Sequence, residues 1–312
     1  MNILITGGCG YIGSVLIPSL LKKGHKIISI DTQFFGNFLP KHKNLKNIKL
    51  DISKIQDKHF KNINTVIHLA SISNDPSALI NSKITWETNV LNTLKLLNLS
   101  KKNKIKKFIF ASSGSVYGIS KKKKVDEKSN LIPISDYNKT KMIGEQLAEG
   151  FKNFFNIVIL RPGTVCGISR SLRLDLTVNA MTFSALRNKT INVNGGNQVR
   201  PHVHIEDMVD TYHFFIERKK INGTYNVGFE NHSIINIAKI IKNKLPSVSI
   251  KIKKSIDPRS YRLYSRKILK KGFKPKKNIE IAIREFIKNY NLNRVFNNPK
   301  SYRASYLQKI IK

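Results

Sequence analysis

The sequence predicts an α/β fold: a doubly wound parallel sheet with a smaller, mixed α/β lobe at the C-terminal end. Three observations predict it. Short segments rich in β-branched residues alternate with longer stretches of helical period, a glycine-rich turn follows the first such segment, and the texture of the chain changes after residue 162.

Taken in order, Asn2 to Thr6 reads as a strand and Tyr11 to Lys23 as a helix. Lys26 to Ile30 is a second strand, ending at Asp31. Thr65 to Leu69 and Lys107 to Ser112 are further buried strands. Between them Lys83 to Lys101 is helical, because Trp86, Val90, Leu94 and Leu97 recur at three- and four-residue intervals. Tyr137 to Phe151 is another helix and Asn156 to Leu160 another strand. Beyond Arg161-Pro162-Gly163 the segments shorten, and Asn194-Gly195-Gly196-Asn197, Arg200-Pro201, Asn222-Gly223 and Asp257-Pro258 all read as turns. Residues 1–162 are therefore expected to form the sheet domain, with part of 200–229 returning to it. Residues 163–312 would form the second lobe, lying over the C-terminal edge of the sheet.

Composition sets the outer bounds. The 312 residues are 40% hydrophobic, 9% aromatic and 24% charged, which supports a real core and excludes a wholly disordered chain. The 2 cysteines, Cys9 and Cys166, are too few for a disulfide scaffold or a four-thiolate zinc site. No apolar run approaches the ~20 residues of a membrane helix, so no membrane insertion is expected. The first residues enter a strand directly, which makes a cytoplasmic location the expectation.

Lys+Arg number 56 against 19 Asp+Glu, a net charge of +37. Such a field attracts polyanions. Here, however, lysine is scattered among Asn and Ile, as in Lys41-His42-Lys43-Asn44-Leu45-Lys46-Asn47-Ile48-Lys49, rather than gathered on one segment. It reads as a compositional bias, and no specific nucleic-acid partner is expected. The run Lys121 to Lys124 reads as a solvated loop.

Gly7-Gly8-Cys9-Gly10-Tyr11-Ile12-Gly13 follows the first strand and opens the first helix, as a Rossmann-type dinucleotide loop does. Gly7 permits a sharp turn, Gly10 lets the backbone N–H groups of the loop, with Tyr11 and Ile12, approach a pyrophosphate, and Gly13 permits close helix–strand packing. The helix N-terminus adds a partial positive charge. Asp31, at the end of the second strand, is placed to accept hydrogen bonds from both ribose hydroxyls and to repel a 2′-phosphate, so NAD is expected rather than NADP. Asp51 is a weaker candidate for the adenine end; it reads equally well as a helix N-cap before Ser53.

Tyr137 and Lys141 lie four residues apart and share one helical face. A free phenol has a pKa of about 10 and is a poor base at neutral pH. A neighbouring ammonium and a positively charged nicotinamide both favour phenolate. Phe110-Ala111-Ser112-Ser113-Gly114-Ser115-Val116-Tyr117-Gly118 ends an apolar strand in hydroxyls, and Ser113 is the candidate relay between a substrate hydroxyl and Tyr137. Taken alone, each segment also fits an ordinary turn or helix face.

Together TGGCGYIGS, Asp31, His68-Leu69-Ala70, SSGSVYG, YNKTK and RPGTVCG, in this order, resemble the extended short-chain dehydrogenase/reductases, the NAD-dependent nucleotide-sugar epimerases and dehydratases, with UDP-glucose/galactose 4-epimerases as the nearest type. The similarity runs on through Arg200 to Asp207 and Asp257 to Arg262. It implies Tyr137 as catalytic acid/base, Lys141 as its electrostatic partner and anchor of the nicotinamide ribose, and Ser113 as relay. Gly7, Gly10, Gly13 and Asp31 would hold NAD, Ala70 would lie along it, and Asn89 would brace the fold behind the site. Asn179, Arg200 and Arg259 fall where the family grips the sugar-nucleotide diphosphate, the two arginines through planar forks suited to phosphate. A homodimer through the Lys83–Lys101 and Tyr137–Phe151 helices is implied as well.

Two departures matter. The family's 4,6-dehydratases carry T-D-E-V-Y-G where this chain has Ser113-Gly114-Ser115-Val116-Tyr117-Gly118. Gly114 and Ser115 supply neither the base nor the acid that elimination of water requires. Cys166 stands where the family often has tyrosine, and it and Cys9 read as buried small residues. His202 and His204 lack thiolate or carboxylate company in sequence and are expected to pack at a strand edge rather than bind a metal. The sequence therefore predicts NAD-dependent epimerisation of a nucleotide sugar through a transient 4-keto intermediate. Net 4-reduction or dehydrogenation is the alternative, and polyanion or RNA binding on a dehydrogenase fold a third reading.

Overall fold

The computed structural model describes residues 1–120, 124–254, 260–290 and 298–311. In chain order the elements are β1 (Asn2–Thr6), α1 (Gly13–Lys22), β2 (Lys26–Asp31), β3 (Leu45–Lys49), β4 (Thr65–His68), α2 (Asp75–Ala78), α3 (Ser82–Trp86), α4 (Asn92–Lys102), β5 (Lys107–Ala111), α5 (Asp136–Gly150) and β6 (Asn156–Pro162). There follow β7 (Thr164–Cys166), α6 (Thr177–Asn188), β8 (Thr190–Asn194), β9 (Val199–His204), α7 (Ile205–Glu217), β10 (Gly223–Val227), β11 (Glu230–Ser233), α8 (Ile234–Lys244), β12 (Ser249–Lys253), α9 (Arg266–Lys270), α10 (Ile279–Asn289) and α11 (Arg303–Ile310).

Seven strands form the main sheet in the order β10-β6-β5-β4-β1-β2-β3. Every pairing is parallel, so both faces must be covered by helices. One apolar layer joins Leu16, Ile17 and Leu20 of α1 to Tyr212 and Phe215 of α7. The other packs Leu96 and Leu97 of α4 and Ala148 of α5 against Phe108, Phe110 and Ile159. From β1 the chain builds outward to β2 and β3, then returns to β4 and builds the other way. The crevice at the carboxyl ends of β1 and β4 is thus the topological switch point where ligands of such sheets bind.

The stretch read as one helix over Lys83 to Lys101 is interrupted. Glu87–Leu91 forms a π-helical turn between α3 and α4, the kind of irregularity that often marks a functional site. Its cause is Asn89, which is buried and bonded to the loop after β4: Oδ1 accepts from Ile72 N at 2.8 Å, and Nδ2 donates to the Ile72 carbonyl at 3.1 Å. Nδ2 also donates to Thr140 Oγ1 of α5 at 3.0 Å, so Asn89 clamps three elements behind the cleft.

Beyond β6 the chain adds two small sheets, β11-β9-β7 and the parallel pair β12-β8. A separate core of Val178, Ile191, Val193, Ile237, Ile241 and Ile283 lies beneath them. β10 then rejoins the main sheet beside β6, in register from Gly223 opposite Val158 to Val227 opposite Pro162. Among the described residues no helix is long and apolar enough to cross a membrane.

Candidate active site

A cleft of about 790 Å³ runs along the carboxyl ends of β1, β2, β4 and β5. At one end lies the glycine loop. Gly7 has φ +74°, and a Cβ there would sit 2.5 Å from the Ala70 backbone N. A Cβ at Gly13 would meet the Gly8 carbonyl at 2.4 Å. These two positions therefore exclude any side chain, the first because β4's loop crosses it and the second because the helix packs on its own turn. Gly10 differs. A Cβ there would come within 4 Å of the Gly7 carbonyl alone, so its bare face opens on the cleft. This is the cradle a pyrophosphate requires, and α1 begins just behind it.

Asp31 closes the loop from below. Its Oδ2 accepts from Cys9 N at 3.0 Å and its Oδ1 from Gln33 N at 2.6 Å. Burial pushes the carboxyl pKa up, while these two N–H donors and the charge of Arg303 pull it down. Tyr11 lines the cleft with its ring and anchors its hydroxyl away from it, donating to the Gly167 carbonyl at 2.6 Å. Ile12 and Ala70 complete this wall. Asp51 lines the cleft and also caps a short 3-10 turn, its Oδ1 accepting from Ser53 N at 2.8 Å. The residues present thus fit a dinucleotide: an open glycine face, a half-buried carboxylate at the end of β2 and an apolar wall.

At the other end of the cleft β5 and α5 bring Ser113, Tyr137 and Lys141 together. Ser135 starts α5 by accepting from Asn138 N at 3.2 Å, which fixes Tyr137 in the first turn with Lys141 one turn on. Lys141 is buried. Its Nζ donates to the Ala111 carbonyl at 2.8 Å and lies 6.0 Å from the Tyr137 ring centroid. Ser113 Oγ lies 2.8 Å from Ser115 Oγ.

Burial raises the phenol of Tyr137; the hydrogen bond with Ser113 and then the charge of Arg173 pull it back. Lys141 is itself pushed down to about 7 by burial, against the opposing charge of Glu145. Removing water from the site thus disfavours both charged forms, and the hydroxyl and the two longer-range charges decide how far.

Three functional groups were missed by the sequence reading. Glu145 and Arg161 form a buried pair one helical turn from Lys141, their side chains 5% and 7% exposed, with Arg161 Nη2 donating to Glu145 Oε2 at 2.6 Å. Ser112 donates to the same carboxylate, and Arg161 Nη1 donates to Tyr117 Oη at 2.9 Å. The signal was present: Glu145 follows Lys141 by one turn and shares its face. The third group is the cleft-lining Arg173, whose fork pairs with Asp175 at 2.7 Å and donates to Ser73 Oγ at 3.1 Å. The run Arg170-Ser171-Leu172-Arg173 has no period that would single it out.

The diphosphate-gripping set implied by the resemblance divides. Arg200 lines the cleft, its Nη1 donating to the Val199 carbonyl at 3.2 Å. Asn179 does not line it. This residue is wholly buried: Oδ1 accepts from Gly167 N at 3.0 Å, and Nδ2 donates to Tyr11 Oη at 3.0 Å and to the Arg173 carbonyl at 2.9 Å. It is a loop anchor, with its polar atoms engaged inside the protein. Arg259 lies outside the described residues. Of the two histidines, His204 starts α7 by accepting from Glu206 N at 3.2 Å, and its Nε2 lies 3.2 Å from Glu285. His202 is buried, and desolvation lowers it to about 3. Cys9 and Cys166 are buried free thiols, Cys9 pushed up to about 12 by burial.

Comparison with known proteins places this geometry. The family model described as NAD dependent epimerase/dehydratase family matches residues 3–228. The uncharacterized UDP-glucose epimerase YtcB of Bacillus subtilis is 33% identical over 268 residues, 78% of this chain and 82% of the relative. A dTDP-D-glucose 4,6-dehydratase of Dictyostelium discoideum is 30% identical over 269 residues, 78% of this chain and 62% of the relative. Among solved structures, the UDP-glucose 4-epimerase of Thermotoga maritima with UDP-glucose superposes with a TM-score of 0.84 at 25% identity, over 93% of this chain and 99% of that one.

Proposed function

This chain belongs to the NAD-dependent epimerase/dehydratase family, and from that premise we propose that it epimerises a nucleotide sugar at C4 through a transient 4-keto sugar. One observation carries the reading: a single cleft holds the open glycine face at one end and Ser113, Tyr137 and Lys141 at the other. In its deprotonated form Tyr137 accepts the proton of the C4 hydroxyl, directly or across Ser113, and returns it to that same oxygen once C4 has regained its hydrogen on the opposite face. Lys141, whose Nζ donates to the Ala111 carbonyl, would hold the nicotinamide ribose of a bound cofactor. Gly7, Gly10, Tyr11, Ile12, Gly13, Asp31, Asp51 and Ala70 would hold NAD, which when bound supplies a reversible hydride acceptor.

Against dehydration, the turn after Ser113 offers hydroxyls and no carboxylate. A side chain at Gly114 would meet the Pro162 carbonyl at 2.9 Å. The dehydratase relative keeps that reaction within the family, and the missing acid and base argue it out of this member. Arg200 and Arg259 are the proposed grips on the substrate diphosphate. Self-association through α3, α4 and α5 is proposed on the exposed Leu79 and Leu91 beside them.

The test is a panel of UDP-, GDP-, CDP- and dTDP-sugars, screened for thermal protection and followed by product analysis. Interconversion of C4 epimers by purified protein with retained NAD and no added nucleotide supports the reading. Stoichiometric appearance or consumption of NADH would replace it with net redox chemistry, and a dehydrated product would overturn it.

A further inference from the structure

Arg303 is 4% exposed, yet no carboxylate pairs with it among the described residues. Its Nη2 donates to the Ser171 carbonyl at 2.9 Å and to Ser171 Oγ at 2.7 Å, and its Nη1 donates to the Lys300 carbonyl at 2.9 Å. The guanidinium lies 3.9 Å from the centroid of Phe35, in the loop after β2. A cation taken out of water whose hydrogen bonds all go to neutral oxygens, with the Asp31 and Asp175 charges acting only at longer range, is costly unless an anion joins it.

The anion has a place to sit. Arg303 lines the cleft together with Leu307 and with Ile311, just past α11, and Gly10, Tyr11, Asp31, Phe34 and Phe35 line the same cleft. Its charge is felt by Asp31. Asp31 in turn holds the glycine loop through Cys9 N at 3.0 Å. Burial, and then the like charge of Arg173, lower the guanidinium to about 9, against the pull of Asp175 and Asp31. The helix is pinned from both sides: Leu174 N donates to the Ser301 carbonyl at 2.9 Å, and α11 packs on α2.

We propose that α11 is a strap across the dinucleotide half of the cleft, and that Arg303 binds the pyrophosphate of the cofactor from the side opposite the glycine loop. This rests on the NAD-binding reading above. Leu307 and Ile311 would cover the adenosine and Arg303 would supply the charge that the loop's neutral N–H groups lack. A strap of this kind slows cofactor release, as a redox-neutral cycle requires.

Calorimetric titration of NAD, ADP, adenosine and UDP into cofactor-stripped full-length protein and into Arg303→Met tests it, with the melting temperature of each apo protein recorded. Methionine keeps an apolar stem on Phe35 and removes the fork. Expected is a loss of roughly 10- to 100-fold for NAD and ADP, the value of a charge-assisted fork, with adenosine within about twofold. Unchanged NAD and ADP affinities overturn the proposal, as does an equal loss for adenosine, which would make Arg303 a loop clamp. Loss for UDP with NAD spared assigns the guanidinium to the substrate diphosphate and also overturns it. If Arg303→Met does not fold, amide exchange of α11 in the unaltered protein decides: slowing on addition of NAD supports the strap, and no change refutes it. Failure of the unaltered protein to bind NAD is a different result, because it removes the underlying reading.

Discussion

On the sheet side of the cleft, Gly7 follows β1, Asp31 ends β2, Ala70 follows β4 and Ser113 follows β5, each within two residues of a strand's carboxyl end. On the facing side Arg173, Arg200 and Arg303 come from a loop, from β9 and from the last helix, up to 130 residues apart. The first wall is held by backbone ladders and by the parallel order of the strands. The second is held by side chains bonding to distant backbone, as Arg303 does to Ser171 and Asn179 to Gly167. On the proposed roles, chemistry would sit on the wall that topology fixes, and ligand grip and closure on the wall that tertiary contacts fix. The two walls should therefore fail differently when broken.

The largest effect belongs to the sheet side. Tyr137→Phe removes the hydroxyl and nothing else, so turnover should fall by about 10²- to 10⁴-fold, the usual contribution of a general acid/base. Retained NAD, read by absorbance after denaturation, should not change. Loss of cofactor together with activity would mean that Tyr137 shapes the wall rather than performing chemistry, and the division between walls would be lost with it.

Next in size is the support beneath that wall. Glu145→Gln leaves Arg161 buried with an uncompensated charge, and breaking such a pair from one side costs about 3–5 kcal/mol. A fall in melting temperature on the order of 10 °C is expected. Because Glu145 also opposes the desolvation of Lys141, the substitution should push that ammonium further down and remove it from the site at neutral pH. Activity should then drop more than stability alone explains. An unaltered melting temperature would show that the pair is dispensable.

The same contrast explains how much the sequence revealed. Strand alternation, the glycine spacing and Asp31 are local signals, and the parallel sheet follows from them because each strand's end is written beside it. Tyr137 and Lys141 are legible because four residues make one helical turn. The π-helical turn at Glu87–Leu91 was not legible, since its cause is a bond from Asn89 to Ile72 seventeen residues away. Arg303 carries no local mark at all. It is separated from Ser171 by 132 residues, and nothing in the composition of so basic a chain distinguishes one buried arginine from the rest.

Asn179 supplies the smallest and most discriminating test, because the resemblance puts it on the substrate and its contacts put it inside the loop. Asn179→Ala would strip partners from the Gly167 N–H, the Tyr11 hydroxyl and the Arg173 carbonyl, all in a buried setting. Leaving such groups unpaired costs about 1–3 kcal/mol. If it is an anchor, the melting temperature should fall by several degrees, with kcat and the KM for nucleotide sugar changing less than threefold, roughly 0.6 kcal/mol. A substrate contact would do the reverse: an unmoved melting temperature with a KM raised about tenfold, near 1.4 kcal/mol. The second outcome would carry Asn179 back to the cleft and show that the loop from Gly167 to Arg173 rearranges when substrate binds. The facing wall would then be assembled by its ligand, a stronger form of the difference between the two sides than the resting geometry alone displays.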